Sequence, residues 1–360
     1  MPVNNLKSIL LTLVIFLFGP AIFGQSRFLT KMFVVPYDTN YITTYTTDYV
    51  TRLFGSVKYG QTSYIDDITG KRIYYKPNNK LLLGLGVNHG FLGLNIGVNF
   101  PFINQDDEKY GETKYYDFTM RIFSPRFNST IYLQRYKGYY LQNTKNMVPG
   151  WEHGDPYYIR ADIRTMTVGL DVSYIFNSGK FSYRAAILQN EWQKKSSGSL
   201  LVGGSLIYNA TIGDSSLVPD QIYYEAFFDS LKFNRSNNFS LGPTIGYAYT
   251  FVLKKHFFIM GSLNGSGNIG FTRFLLVDSE EKVRSGVVFG LRAEILLSAG
   301  YNSDRWYFGL SFINMSVTNQ APLPDRSINY DTGMFRFNIV RRFATKKPIR
   351  ILNPGLKYDL

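Results

Sequence analysis

Apolar and polar residues alternate with a period of two along most of this chain. In FLGLNIGVNF, residues 91–100, leucine, isoleucine and valine fall on one face, while glycine and asparagine fall on the other. Similar alternation recurs in VGLDVSYIF (168–176), GVVFGLRAEILLS (286–298) and FRFNIVRRF (335–343). A period of two with one polar face is typical of β-strands that bury or shield a single face.

Thirteen segments carry this strand pattern. They span residues 48–58, 72–87, 91–102, 114–123, 127–137, 159–176, 180–190, 199–212, 237–253, 256–275, 283–299, 305–317 and 333–343. An odd number does not suit a bacterial barrel that has both ends on the same side. Short turns counted from the two ends of the chain disagree by one strand between residues 190 and 236. We therefore predict twelve strands, with fourteen as the alternative.

Two features favour a transmembrane antiparallel β-barrel over a soluble β-sandwich. Segments such as 159–176 and 256–275 are longer than the roughly 9–11 residues that a tilted strand needs to cross a bilayer. The polar face is rich in glycine, serine, asparagine and arginine, which suits the inside of a closed barrel. Closure is also required in lipid, because an open sheet edge leaves backbone groups unpaired. A secreted soluble β-protein is the alternative.

The N-terminal stretch has the layout of a secretory signal peptide. A single lysine precedes an apolar run from Ile9 to Phe18, and small residues follow up to Gly24. The predicted organisation is a signal peptide at 1–24 and an N-terminal periplasmic segment at 25–47. The barrel then covers 48–343, and a basic tail covers 344–360. The basic cluster around the start of this tail could contact lipid phosphates or a partner, and it consists of Arg341, Arg342, Lys346, Lys347 and Arg350.

Composition narrows the class further. The sequence contains no cysteine, which excludes thiolate chemistry and disulfides. A mean hydropathy of -0.12 is too polar for a helical membrane protein, whereas aromatic residues make up 17% of the chain. The net charge of +13 is spread over strands and turns. Because an exported protein meets no nucleic acid in normal operation, we predict no nucleic-acid partner.

Several blocks of sequence resemble a known family. These are YYKPNNKLLLGLGVNHGFLGLNIGVNFPFIN, GETKYYDF, YKGYYL, FSYRAAILQNEWQKKSSGS, GDSSLVP and YAYTFVLKKHFF. They are similar to the signature blocks of an uncharacterised Bacteroidota family, domain of unknown function number 4421, from about Tyr74 to the end of the chain. The resemblance implies an outer-membrane β-barrel from a Bacteroidota bacterium, and it implies no activity and no site residues.

The search for catalytic or metal-binding chemistry finds little. The three histidines, His89, His153 and His256, are far apart and lack the spacing of metal ligands. Glu152 and Asp155 flank His153 in one long loop, but no serine nucleophile can be paired with them. We predict no catalytic site, no metal site and no cofactor.

The alternation instead places charged residues on the inner face of the barrel. The candidate lumen-lining residues are Arg121, Asp171, Arg184, Arg292, Glu294, Arg336 and Arg342. Five arginines against two acids would make the interior positive, which suits an anion-preferring pore or a pocket for an acidic ligand. The alternative is that these arginines pair with acids and fill a narrow barrel.

Three functions remain open at this point. The first is a structural or interaction component of an envelope assembly, with outer-membrane lipid and an envelope protein as partners. The second is an anion-preferring pore or small-solute channel. The third and least favoured is a lipid-modifying barrel enzyme.

Overall fold

The computed structural model describes residues 35–90, 92–100, 105–219, 227–277, 279–345 and 349. The predicted signal peptide and most of the basic tail lie outside these residues. Within them the chain is almost entirely β-structure, with two short helices, α1 (Asp107–Tyr110) and α2 (Tyr183–Ile187). In the described part of the chain, no helix is long and apolar enough to cross a membrane.

Fifteen strands are described. They are β1 (Ile42–Thr44), β2 (Tyr49–Asp66), β3 (Lys71–Lys76), β4 (Leu81–His89), β5 (Leu92–Asn99), β6 (Lys114–Phe123), β7 (Phe127–Leu141), β8 (Tyr158–Ile175), β9 (Glu191–Gln193), β10 (Ser197–Ile212), β11 (Phe233–Leu253), β12 (Phe257–Leu276), β13 (Val283–Asn302), β14 (Trp306–Gln320) and β15 (Arg326–Phe343).

Ten of these strands form a closed antiparallel barrel. The order around the ring is β2, β15, β14, β13, β12, β11, β10, β8, β7 and β3, and β3 pairs again with β2. The predicted all-β barrel is therefore confirmed, but the expected twelve strands overcount the closed ring. The difference arises in one region, where β4 and β5 extend from β2 and β6 extends from β7.

The segment predicted as one strand over 72–87 is interrupted in the middle. β3 ends at Lys76 and β4 begins at Leu81, with Pro77 between them. Proline lacks the backbone N–H that a ladder requires, so it disfavours a continuous strand. The C-terminal part of β2 consequently pairs with β3, whereas its N-terminal part pairs with β4.

Alternation in the sequence becomes alternation of exposure in the wall. Along β12, Ile259, Leu263 and Ile269 are exposed on the outer face, while Asn264 and Asn268 are buried inside. The exposed outer residues of β11, β13 and β14 are likewise mostly apolar. The inner residues are mostly serine, threonine and asparagine on β11, whereas those of β13 and β14 are a mixture of polar, charged and apolar side chains. The outer surface of the barrel is thus an apolar band.

The two ends of the barrel differ in their connections. At one end, here called the lower end, short turns join β6 to β7, β11 to β12 and β13 to β14. At the opposite, upper end, longer segments cover 142–157 and 213–232, of which 220–226 lie outside the described residues. Different segments of the chain fill the lumen at these two ends.

The predicted strand at 180–190 is wrong. The segment 176–196 instead contains α2 and the short strand β9, which pairs with β1. Ser182 caps α2, because its hydroxyl accepts a hydrogen bond of 3.0 Å from the amide of Ala185. This segment, called the lower plug below, lies against the inner face of the barrel.

Candidate functional site in the barrel lumen

Four of the sequence-predicted residues meet halfway up the lumen. Arg292 on β13 lies 2.8 Å from both Asp171 on β8 and Glu294 on its own strand. Arg121 on β6 approaches Glu294 more loosely, at 4.0 Å. These residues are called the central ion-pair cluster. It contains two positive and two negative side chains, so the four charges balance.

The lower plug fills the lumen beneath this cluster. Phe181, Tyr183, Ala186 and Leu188 are buried against inward-facing residues contributed by nearly every strand of the wall. The Tyr183 hydroxyl also donates a hydrogen bond to Ser262 on β12. The apolar side of the plug therefore packs against the inner face of the barrel.

Arg342 holds the backbone of the plug. Its Nε and Nη2 donate to the carbonyl of Gln189 at 2.9 and 2.6 Å, and Nη2 also reaches the carbonyl of Glu191 at 3.3 Å. A further bond of 2.8 Å joins Arg342 to Asn302 on the wall. One inward arginine thus satisfies carbonyls that the short helix and loop leave without partners.

Arg52 provides a second clamp, which sequence reasoning missed. It donates to the carbonyl of Leu188 at 3.0 Å, to the side chain of Gln189, and to Asn95 on β5 at 2.8 Å. Asn88 donates to the same Leu188 carbonyl at 2.6 Å. The signal was present in the sequence, because Arg52 alternates with the outward Leu53 on a predicted strand.

The remaining predicted arginines have different surroundings. Arg184 lies on α2 rather than on a wall strand, and it pairs with Glu191 at 3.2 Å. Arg336 lies on the inner face of β15, where its guanidinium carbon is 4.5 Å from the centroid of the Phe54 ring. No ion-pair partner of Arg336 lies within the described ranges.

Two acids that the sequence analysis overlooked reduce the expected positive excess. Asp117 on β6 pairs with Lys58 at 2.9 Å, and Glu191 neutralises Arg184 in the plug. Asp117 lies four residues before Arg121, so the same alternation that turned Arg121 inward also turns Asp117 inward. Arg121, Arg184 and Arg292 thus each have an acidic partner, whereas Arg52, Arg336 and Arg342 have no ion-pair partner among the described residues.

The upper end is filled by an apolar core. Tyr64, Tyr75, Phe233 and Phe274 on the wall pack around residues of the 213–232 connection, and we call this cluster the upper core. Leu217, Phe227 and Phe228 of that connection are completely buried. The Tyr75 hydroxyl donates to the carbonyl of Leu217 at 2.8 Å, which fixes the connection to the wall.

Arg326 and Asp66 fix the same connection from the other side. Asp66 accepts a bond of 2.7 Å from the Phe228 amide, and Arg326 bridges Asp66 at 3.1 Å and Asp229 at 2.5 Å. Phe228 and Asp229 have positive φ values of 51° and 55°, a conformation that non-glycine residues avoid. These hydrogen bonds hold the chain in that conformation.

The three histidines do not meet. His89 stacks on Tyr49 with ring centroids 4.6 Å apart, and His256 stacks on Trp192 at 4.9 Å. His153 is exposed in the 142–157 loop, where Asp155 accepts a bond of 2.9 Å from the Glu152 amide. Over the described residues, no group of three histidine or acidic side chains could hold a metal ion.

Comparison with solved structures returns outer-membrane proteins. The outer membrane protease OmpT from Escherichia coli matches at 10% identity and a TM-score of 0.36, covering 84% of this chain and 98% of that one. OprG from Pseudomonas aeruginosa matches at 11% identity and a TM-score of 0.20, covering 83% and 97%. An anion-selective porin from Comamonas acidovorans matches at 11% identity and a TM-score of 0.15, covering 82% and 100%.

Sequence comparison identifies the family. None of the curated proteins matches the chain in sequence. The family described as "Domain of unknown function (DUF4421)" matches over residues 36–343, which include every strand of the barrel. The chain belongs to this family.

Proposed function

We propose that this chain is an outer-membrane β-barrel with a closed lumen, which acts as a structural or interaction component of the envelope rather than as a pore or an enzyme. The apolar outer band supports the membrane location, because exposed Val287, Phe289 and Leu291 would otherwise face water. Short turns usually lie on the periplasmic side of such barrels, which would place the lower plug there.

The clamp of Arg342 on the lower plug is the observation that carries the closed lumen. A mobile segment would not bury Phe181 and Tyr183 or receive charge-assisted hydrogen bonds on its carbonyls. The central ion-pair cluster and the upper core obstruct the same axis at two further levels. A continuous water path along the barrel axis would require all three layers to rearrange.

Planar-bilayer recording tests the closed lumen directly. We expect the purified full chain to insert without producing stable current steps, because a filled lumen offers no path for hydrated ions. Steady single-channel steps with anion preference would instead support the pore. Cross-linking in native envelopes should then recover one protein partner in fixed proportion to the barrel, and failure to find one would contradict the interaction role.

Tryptic cleavage of the plug tests the clamp. Replacement of Arg342 by alanine removes several hydrogen bonds to the plug. We expect the free energy of unfolding to fall by about 1.5–3 kcal/mol and trypsin to cleave within 176–196. The matched control is Arg341→Ala, because Arg341 is the next residue of β15 and its side chain lies outside against Trp306. Equal resistance of both variants to trypsin would mean that Arg342 does not retain the plug.

A further inference from the structure

The wall contains a seam between β5 and β6. β5 pairs with β4 and β6 pairs with β7, and no ladder joins β5 to β6 among the described strands. The two strands run in opposite directions, and their outer residues Ile96 and Phe118 are exposed like those of the rest of the apolar band. The seam therefore lies at the level of the membrane.

The inner side of β5 is covered only in part. On the adjacent β4, Gly84 leaves room for Phe54 of β2 and Gly86 leaves room for Asn95 of β5, because a Cβ at either glycine would collide with that side chain. Phe54 lies over the inner face of β4 and β5 as a result. Asn95 and Gly97 remain exposed on the inner side of β5, whereas the inner residues of β12 are buried.

Three arginines lie behind this partly covered surface, and we call them the arginine group: Arg52, Arg121 and Arg336. Arg336 stacks on Phe54, and it repels both Arg52 and Arg121 electrostatically. In the part of the chain described, its buried Nε has no hydrogen-bond partner. Arg121 lies on the inner face of β6, on the other side of the seam, with its nearest carboxylate 4.0 Å away.

We propose that the seam admits the phosphate headgroup of an anionic phospholipid to the arginine group, while its acyl chains stay in the bilayer beside β5 and β6. A phosphate would relieve the repulsion among the three arginines and would accept charge-assisted hydrogen bonds from them. The exposed apolar residues flanking the seam would contact the acyl chains. The inference rests on the proposed membrane location, and it does not require a path along the barrel axis.

Native mass spectrometry of the full chain is the test. The protein is reconstituted in vesicles of equal parts phosphatidylcholine and phosphatidylglycerol, and then extracted into mild detergent. We expect one retained phosphatidylglycerol per barrel, preferred over phosphatidylcholine by about tenfold, as several hydrogen bonds to a charged group would provide. The double variant Arg121→Gln/Arg336→Gln should lose this preference.

Two further variants separate binding from folding and from surface charge. Arg273→Gln/Arg341→Gln removes two arginines from the outer face and should keep the bound lipid. Arg336→Lys keeps the positive charge and should retain more lipid than Arg336→Gln at equal folded yield. Equal retention by all variants would overturn the proposal, because the lipid would then bind the outside of the barrel.

Photo-cross-linking locates the lipid. A phosphatidylglycerol carrying a diazirine on its acyl chain should label β5 and β6 in preference to β12. Labelling spread evenly around the barrel contradicts the seam, and displacement of the lipid by excess inorganic phosphate alone would indicate a site for free anions. A chain that fails to float with vesicles would instead refute the membrane location itself.

Discussion

The wall from β11 to β14 and the wall from β3 to β6 share an apolar outer face, yet their ladders differ in extent. β11, β12 and β13 are 21, 20 and 20 residues long and pair along nearly their whole length. β4, β5 and β6 have only 9, 8 and 10 residues, and β5 and β6 each have one strand neighbour over the described residues. The first region is here called the continuous wall and the second the interrupted wall.

The contrast teaches that side-chain alternation and strand pairing are separate properties. Alternation decides which face of a strand is apolar, and it is as regular in β5 as in β12. Pairing also needs a neighbour at the right height, and Pro77 ends β3 before β4 begins. An unpaired edge in hydrocarbon is costly, so the interrupted wall is where a ligand or a local rearrangement would be most strongly favoured.

The largest expected effect compares two arginines of the central ion-pair cluster. Arg292 belongs to the continuous wall, and its side chain is only 1% exposed between Asp171 and Glu294. Replacing it by methionine should lower the free energy of unfolding by about 3–5 kcal/mol, because two buried carboxylates lose their counter-charge. Denaturant titration in detergent or vesicles measures this loss.

Arg121→Met is the matched variant in the interrupted wall. The Arg121 guanidinium lies 4.0 Å from Glu294, so this ion pair is weaker than those of Arg292. We therefore expect Arg121→Met to destabilise the protein clearly less than the substitution of Arg292. Equal losses at the two positions would mean that β6 is held as tightly as β13. The distinction between the two walls would then not extend to the energetics of their inner faces.

A lipid-facing charge gives the next largest effect. Leu263, near the middle of β12, is 58% exposed, and Ile96 of β5 is 74% exposed. Leu263→Arg should cost about 2–4 kcal/mol, the range measured for arginine at the midplane of such barrels. Ile96→Arg should cost less, because its guanidinium can turn through the seam toward Asn95 and water.

Refolding into vesicles under a denaturant gradient compares these two variants. Asn264→Ser, a small change on the inner face of β12, serves as the control for substitution as such. If Ile96→Arg is as costly as Leu263→Arg, the seam gives no access to water at that height. If neither is costly, the outer face does not contact lipid.

The continuous wall could be predicted closely from the sequence. The predicted segments 256–275 and 283–299 correspond to Phe257–Leu276 and Val283–Asn302. Their alternation is strict, and each neighbour along the chain is also the neighbour in the sheet. Local pattern and long-range pairing therefore coincide, which is why periodicity alone was sufficient there.

The lower plug could not be predicted in the same way. Phe181, Tyr183 and Ala185 alternate with polar residues as a strand would, but the wall strands around them are already paired. The segment is fixed instead by Arg52 and Arg342, which lie more than a hundred residues away in sequence. The capping serine before two alanines was the one local signal for a helix.

The candidate site was recognised as a set of residues but not as a set of pairs. Alternation identified Arg121, Asp171, Arg292 and Glu294 as inward, and three different strands bring them together. Which arginine meets which acid depends on the strand order and register of the closed ring. The strand count was wrong in the interrupted region. The pairing of Asp117 with Lys58 and of Glu191 with Arg184 was missed because these two acids were not counted among the charges of the lumen.

Hydrogen exchange gives the smallest expected effect and bears most directly on the two walls. Every second amide of β5 between residues 94 and 98 points away from β4, toward the seam, whereas both edges of β12 are paired. Amides that lack a ladder partner need no opening of the sheet before they exchange. In detergent micelles, peptides from 92–99 should therefore exchange at least about tenfold faster than peptides from 257–276, a difference of about 1.4 kcal/mol in opening free energy.

Peptides from β14, which is shorter than β12 but paired on both edges, control for strand length and should exchange as slowly as those of β12. Equal protection of β5 and β12 would mean that the seam is closed by pairing in solution, and the arginine group would then have no lateral route to the bilayer.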